Sequence, residues 1–285
     1  MKRRLFKQLI LCICVAAISA SANAQSDSVF SFIKSIKGGF TYLTVDNLDN
    51  IYLITTGNQL KKINAKGDSV AVYNDVKKYG NPSIIDVTNP LKTLVYYKNY
   101  STVVMLDRLF AVRNTINFRR HNIFYVNNVT LAYDNNIWIF DEEEYKLKKI
   151  DEEGKLLLAT VDFRNLFDSL PAPTEIIDKN NFVYLYDSLK GFYIFDYYGS
   201  FKNRLPLLHW TNVEVNGNTL YGFYNDKLFS YQLKSLQLKE YKLPVFFGNF
   251  ISIKVMNGKI YLLNENGVDI YKIIQESENN IINSY

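Results

Sequence analysis

The sequence predicts an all-β chain, a six-bladed β-propeller of four-stranded blades whose last blade is completed by a strand from the N-terminal end. Three observations carry that expectation: a short apolar strand that recurs six times, turn chemistry that brackets each recurrence, and a mismatch in strand count between the two ends of the chain.

The recurring strand occupies residues 50–54, 93–97, 136–140, 182–186, 219–223 and 259–263. With Ile51, Leu94, Ile137, Val183, Leu220 and Ile260 as anchors, the spacings are 43, 43, 46, 37 and 40 residues, the period of a propeller blade. A stacked solenoid shares such periods and stays open on spacing alone. Each anchor strand is apolar on both faces; Ile137 and Ile139 fall on one side, Trp138 and Phe140 on the other. A half-exposed strand would alternate with polar residues, so these strands are expected between two stacked sheets. The 22 Tyr and 19 Phe supply bulk for such interfaces.

Turn signals lie on either side of each anchor. Before it come Asn, Asp and Gly, as in residues 45–50, 133–136, 177–181 and 215–218, which accept the left-handed backbone of a tight hairpin. After it comes a third strand, at 60–64, 147–151, 192–196 and 268–272. Three of these run into a glycine turn at Gly67, Gly154 or Gly199, beyond which a fourth strand begins. The second repeat, residues 81–118, lacks both the Asp-turn-Asn and the glycine, and the fifth is short, so the spacing leaves the blade count open by one.

The ends complete the case. The last repeat has strands at 251–255, 259–263 and 268–273 and then only a polar tail, residues 275–285, whereas the alternating segment 28–36 has no partner in the first repeat. If 28–36 supplies the missing outer strand, the ring closes and its edges are protected.

Residues 1–24 read as a cleaved secretory signal, with Lys2, Arg3, Arg4 and Lys7 as a basic start, 9–18 as an apolar stretch and Ala22-Asn23-Ala24 as the cleavage site. About ten apolar residues are too few for the roughly 18–20 of a membrane span. Leu11 and Ile13, which precede Cys12 and Cys14, are poor company for a lipidated cysteine. Cleavage removes four of the 33 basic residues and both cysteines, leaving 29 basic against 28 acidic residues. The near-neutral mature chain, residues 25–274 plus the tail, gives no electrostatic case for nucleic acid, has no disulfide or thiolate chemistry, and contains no transmembrane segment. It is expected to be exported, to the periplasm or beyond.

The repeat resembles that of the NHL-type and TolB-like six-bladed propellers over residues 28–274. The residues that carry the likeness are Thr44-Val45-Asp46-Asn47-Leu48-Asp49-Asn50-Ile51-Tyr52-Leu53 with Leu60-Lys61-Lys62-Ile63-Asn64-Ala65-Lys66-Gly67, and Asn136-Ile137-Trp138-Ile139-Phe140-Asp141 with residues 147–154. This signature is specific for fold and nearly silent on function.

Candidate site residues sit in loops between the second and third strands and between blades. Arg119, Arg120 and His121 concentrate donors suited to a carboxylate, a phosphate or an acidic surface, or to pairing with a neighbouring blade. Asp141, Asp187, Asp226 and Glu265 place one carboxylate per hairpin and would hold a metal if they converged on the axis, an arrangement that resembles lactonase-like propellers; the run 141–144, which lacks the spaced oxygens of a calcium loop, reads first as a solvated acidic tip. Trp210, beside His209, would stack on a sugar if exposed, and otherwise packs between blades. No Gly-x-Ser-x-Gly elbow, paired-histidine motif or cofactor fingerprint is present. The expected function is a non-catalytic binding or scaffold propeller with a protein partner in the cell envelope. The alternatives are a metal-dependent lactonase- or lyase-like enzyme acting on a small molecule, and a carbohydrate-binding propeller.

Overall fold

The structure, a computed structural model, describes residues 29–274. The expected signal segment, Ser28 and the polar tail 275–285 lie outside the described residues.

Twenty-four strands form six four-stranded antiparallel sheets. Blade 1 is β2 (Phe40–Val45), β3 (Ile51–Thr55), β4 (Leu60–Ile63) and β5 (Ser69–Tyr73). Blade 2 is β6 (Ile84–Asn89), β7 (Lys92–Tyr97), β8 (Thr102–Asp107) and β9 (Val112–Asn117). Blade 3 is β10 (Val126–Leu131), β11 (Ile137–Asp141), β12 (Lys146–Ile150) and β13 (Leu156–Ala159). Blade 4 is β14 (Glu175–Lys179), β15 (Phe182–Asp187), β16 (Gly191–Asp196) and β17 (Phe201–Leu205). Blade 5 is β18 (Thr211–Asn216), β19 (Thr219–Tyr224), β20 (Lys227–Gln232) and β21 (Leu238–Lys242). Blade 6 is β22 (Ser252–Met256), β23 (Lys259–Asn264), β24 (Gly267–Ile273) and, at its outer edge, β1 (Phe30–Lys37).

The first strand of each blade contacts the first strand of the next, through β2, β6, β10, β14, β18 and β22 and back to β2, so the blades form a closed ring of six. The predicted outer strand is in place: β1 lies beside β24, with the Phe32 and Tyr271 rings 5.5 Å apart and the Gly38 N–H donating to the Asn266 carbonyl at 3.2 Å. A Cβ at Gly267 would fall 2.0 Å from the Ile36 carbonyl oxygen, so only glycine lets β1 approach. At the ends of the described residues the Ile274 N–H donates to the Val29 carbonyl at 2.7 Å.

The second strands are buried on both faces, as their composition requires; β11 is inaccessible along its whole length. Between blades 3 and 4, Trp138, Phe140, Phe163, Tyr193 and Phe195 share one apolar layer, and the Trp138 indole N–H finds the Asp178 carboxylate of the next blade at 2.9 Å.

The turn motif has a physical basis. The Asp46 carboxylate accepts from the Leu48 and Asn50 N–H groups at 2.9 Å each, from the Asn50 amide at 2.8 Å and from the Tyr52 hydroxyl at 2.9 Å. One buried side chain therefore closes the hairpin and ties it to the second strand.

The blank in the second repeat is explained by Phe110. Asp107 accepts from Leu109 N–H and Ala111 N–H at 2.9 Å, matching Asp151 with Glu153 N–H at 3.0 Å and Lys155 N–H at 2.8 Å. Gly154, in the left-handed region at φ 90°, is replaced there by Phe110 at φ 67°. The ring lies buried 6.1 Å from that of Tyr52, and apolar burial offsets the roughly 1 kcal/mol backbone cost.

Candidate functional site

Strand direction alternates within each blade, so the loops between blades and the loops between second and third strands emerge on one face, and all other turns on the opposite face. The first strands bound a channel along the axis. These two regions, the loop face and the channel, are where the fold could place a ligand.

On the loop face the expected carboxylates have separate fates. Asp141 is buried; its carboxylate accepts from Glu143 N–H at 3.0 Å and Glu144 N–H at 3.2 Å and pairs with Lys148 Nζ at 2.7 Å. Lys148 also meets Glu144 at 2.7 Å, and Lys146 meets Glu144 at 2.9 Å, so two of the four acids in the run, Asp141 and Glu144, are paired within their own hairpin. Asp187 is buried and accepts from Ala172 N–H and Leu189 N–H, both at 2.8 Å. Asp226 and Glu265 stand exposed at hairpin tips. None of the four lines the channel, and among the described residues no three His, Cys, Asp or Glu side chains come together as a metal-holding group.

Trp210 is buried, stacked on Phe229 at 5.5 Å and edge-on to Phe192 at 6.2 Å, while a Cβ at Gly222 would strike it at 2.4 Å. Glycine at 222 thus makes room for the indole between blades 4 and 5. Arg119, Arg120 and His121 are exposed on the turn Phe118–His121 that links blades 2 and 3. Arg119 Nε donates to Ser101 Oγ at 3.3 Å, and the His121 ring lies over Gly154, where a Cβ would sit 2.6 Å from Nε2.

The channel holds residues that the sequence did not single out. The first strands alternate between bulges: Leu43, Val45, Ile85, Val87, Val129, Ile176, Val213, Val215, Ile253 and Val255 are buried, and polar residues between them face the axis. The axial set includes Tyr42, Asp86, Asn128, Thr130, Glu175, Glu214 and Lys254 around a cavity of about 110 Å³. They join blade to blade. Tyr42 Oη donates to the Ile85 carbonyl at 3.3 Å, Thr130 Oγ1 to the Asp86 carboxylate, Asn128 to the Thr174 carbonyl, Ser252 Oγ to Asn212 at 3.0 Å, and Lys254 Nζ to Glu214 at 2.7 Å.

Glu175 is the exception, for its carboxylate has no hydrogen bond among the described residues. Water reaches it along the channel, yet protein surrounds it, and burial pushes its pKa up. Lys254 opposes that shift and Glu214 adds to it. Burial alone would lower the Lys254 pKa, but the Glu214 and Glu175 carboxylates outweigh it and hold the ammonium above the ordinary lysine value. Burial also raises the Asp86 carboxyl, and it pushes the Tyr42 phenol up to about 12.

A charged residue between β-branched neighbours, as in Val213-Glu214-Val215 and Ile253-Lys254-Val255, was the available signal. It passes for the wet side of an ordinary strand until the ring is drawn closed.

Among the described residues no helix is long and apolar enough to cross a membrane. No family model matches the chain, and no curated protein matches it. Solved structures do. Virginiamycin B lyase from Staphylococcus aureus, with quinupristin, is 13% identical over 86% of this chain and 89% of that one, with a TM-score of 0.57. The Pan2 WD40 domain of Neurospora crassa is 8% identical over 87% of this chain and 96% of that one, TM-score 0.61. BamB from Moraxella catarrhalis is 12% identical over 85% of this chain and 99% of that one, TM-score 0.51. At these identities the likeness is one of fold, and the fold is the β-propeller.

Proposed function

We propose that this protein is an exported, non-catalytic binding propeller that engages a protein partner through its loop face. The observation that carries the reading is the apolar surface there. Phe124 and Tyr125 between blades 2 and 3, Leu189 on blade 4, and Val245, Phe246 and Ile251 between blades 5 and 6 are all exposed, Val245 at 92%. Large apolar side chains gathered on one end of a fold mark an interaction site, since nothing in the folded chain recovers the cost of leaving them in water. The opposite face carries exposed Leu48, Leu91, Leu109 and Leu236, one to a turn, and the phenol rings of Tyr133 and Tyr198, whose hydroxyls make them amphipathic, so its purely aliphatic exposure is scattered.

The NHL-type or TolB-like subtype is part of the proposal, supported by the Asp46–Asn50–Tyr52 hairpin clamp. Export to the periplasm or exterior rests on the signal-like residues 1–24. Photo-crosslinking residues placed at Phe124, Val245 and Leu48 in the native host test the reading. Discrete adducts to one protein from positions 124 or 245, with none from 48, are expected. Equal adducts from both faces, or none from either, would refute it.

A further inference from the structure

We propose that the part of the loop face between blades 1 and 3 recognises an acidic segment of the partner protein, an inference that rests on the binding reading above and names its chemistry. Lys78, Lys98, Arg119 and Arg120 form this sector around the rings of Tyr79 and Tyr100.

Side-chain contacts make the sector continuous across three loops. Lys78 Nζ lies 4.7 Å from the centre of the Tyr79 ring, and Tyr79 meets Tyr100 edge-on at 6.1 Å. Tyr100 is half-exposed and shares its turn, Lys98–Tyr100, with Lys98. Ser101, the next residue, receives Arg119 Nε at 3.3 Å and the Phe118 N–H on its carbonyl at 2.8 Å. Arg120 follows, exposed.

None of these four cations makes an ion pair among the described residues, and Lys98 spends its ammonium only on the Asn127 amide oxygen. Elsewhere on the same face Lys146, Lys148, Arg164 and Lys227 are each matched to a carboxylate, and Lys190 and Arg204 are held by the Leu170 and Lys190 carbonyls. The acids nearest the sector are Asp75, which accepts the Tyr73 hydroxyl at 3.1 Å, and Glu142 of blade 3, whose field reaches Tyr96 together with that of Arg119. A local excess of positive charge is therefore left unmatched among the described residues. On a mature chain with almost no net charge, it is a feature of this sector and not of the whole molecule.

The chemistry of the occupant follows from the mixture. Guanidinium forks pair with carboxylates two bonds at a time, and phenol edges beside them take the aliphatic parts of a polypeptide. A nucleic acid would need open aromatic faces for its bases. Here Tyr79 is covered by Lys78 and by Tyr97, whose ring centre is 5.0 Å away. Exposed Phe124 and Tyr125 stand on the same linker as Arg119 and Arg120, so anionic lipid is the competing occupant and the vesicle arm of the test separates it.

The test uses the mature chain and four probes of matched length or surface charge: a fluorescent Glu/Asp-rich peptide with interspersed Leu, its Lys-substituted counterpart, a single-stranded oligonucleotide, and phosphatidylglycerol vesicles. Binding of the acidic peptide alone is expected, weakening with salt and falling at least about tenfold in Arg119→Glu/Arg120→Glu and in Lys98→Glu, as loss of close charge pairs requires. Thermal unfolding of each variant, expected unchanged, separates lost binding from lost folding. Failure of the acidic peptide to bind, binding unaffected by either variant, or tighter binding of oligonucleotide or vesicles would overturn the inference. If crosslinks in the host then arise from position 246 but not from position 100, the acidic-segment inference falls while the binding reading stands; if neither position crosslinks, both fall.

Discussion

The channel and the blade 1–3 sector of the loop face carry similar side chains and treat them in opposite ways. Along the axis, Lys254 is matched to Glu214, Asp86 to Thr130 and Asn128 to Thr174, each bond running from one blade to the next. On the loop face, Lys78, Arg119 and Arg120 stand in water, with no carboxylate paired to them among the described residues. Polar groups enclosed by protein must find partners or lose stability, so the channel spends its charges on holding the ring together. Exposed charges cost little to leave unpaired and stay free for an external ligand.

The sharpest way to break the contrast is to open the ring. Gly267→Ala sets a Cβ 2.0 Å from the Ile36 carbonyl oxygen at a φ of 137°, against the strand that closes blade 6. A loss of at least about 3 kcal/mol, or failure to fold, is expected in urea titrations, as for other severe steric lesions. Gly217→Ala, at φ 55° with nothing within 4 Å, is the control and should cost only about 1–2 kcal/mol. Equal losses from the two would show that the close approach of β1 adds nothing.

Next comes Lys254→Met, which leaves Glu175 and Glu214 facing each other with no counter-charge. A loss of about 2–3 kcal/mol is expected, below the figure for a fully dry ion pair because water enters the channel. Adding Glu214→Leu should recover most of it. No recovery in the double variant would mean that Lys254 acts by packing alone.

A smaller effect separates Glu175 from its neighbours. Its folded pKa is raised above the ordinary 4.5, so between those two values the folded chain keeps a proton that the unfolded chain has released. Stability contributed by this group is therefore present at low pH and lost as pH rises through the folded value. Glu175→Gln should remove that component and be the more stable form at neutral pH; a wild-type-minus-variant stability curve that is flat between pH 4 and pH 8 would refute this.

The smallest effect is expected on the loop face, where Arg119→Glu/Arg120→Glu should change unfolding stability by no more than about 0.5 kcal/mol. A larger loss would make these arginines structural and erase the contrast.

How much of this was legible in the sequence differs by element. The Asp46–Asn50 and Asp134–Asn136 turns, the two-sided apolar strands and the orphan segment before β2 together gave the ring, because they depend on local backbone geometry and on counting strands. The second blade was harder to see because Phe110 takes a left-handed position usually left to glycine, supported by burial against Tyr52, a residue 58 positions away that no local pattern includes. Of the candidate ligands, Arg119, Arg120 and His121 are exposed where the loop assignment put them, while Asp141, Asp187 and Trp210 are taken up by the fold's own bonds and packing.

The sequence by itself determined the repeat, the strand order within each blade and the need for an N-terminal strand to finish the last one. Those follow from hydrophobic period and turn chemistry, which are properties of short stretches of chain. Only the tertiary structure decided which charges meet. Glu175, Glu214 and Lys254 lie up to 79 positions apart and face one another because closure of six blades turns alternate residues of the first strands toward a common axis. Lys78, Tyr100 and Arg119 form one surface because three separate loops end on the same side of that ring.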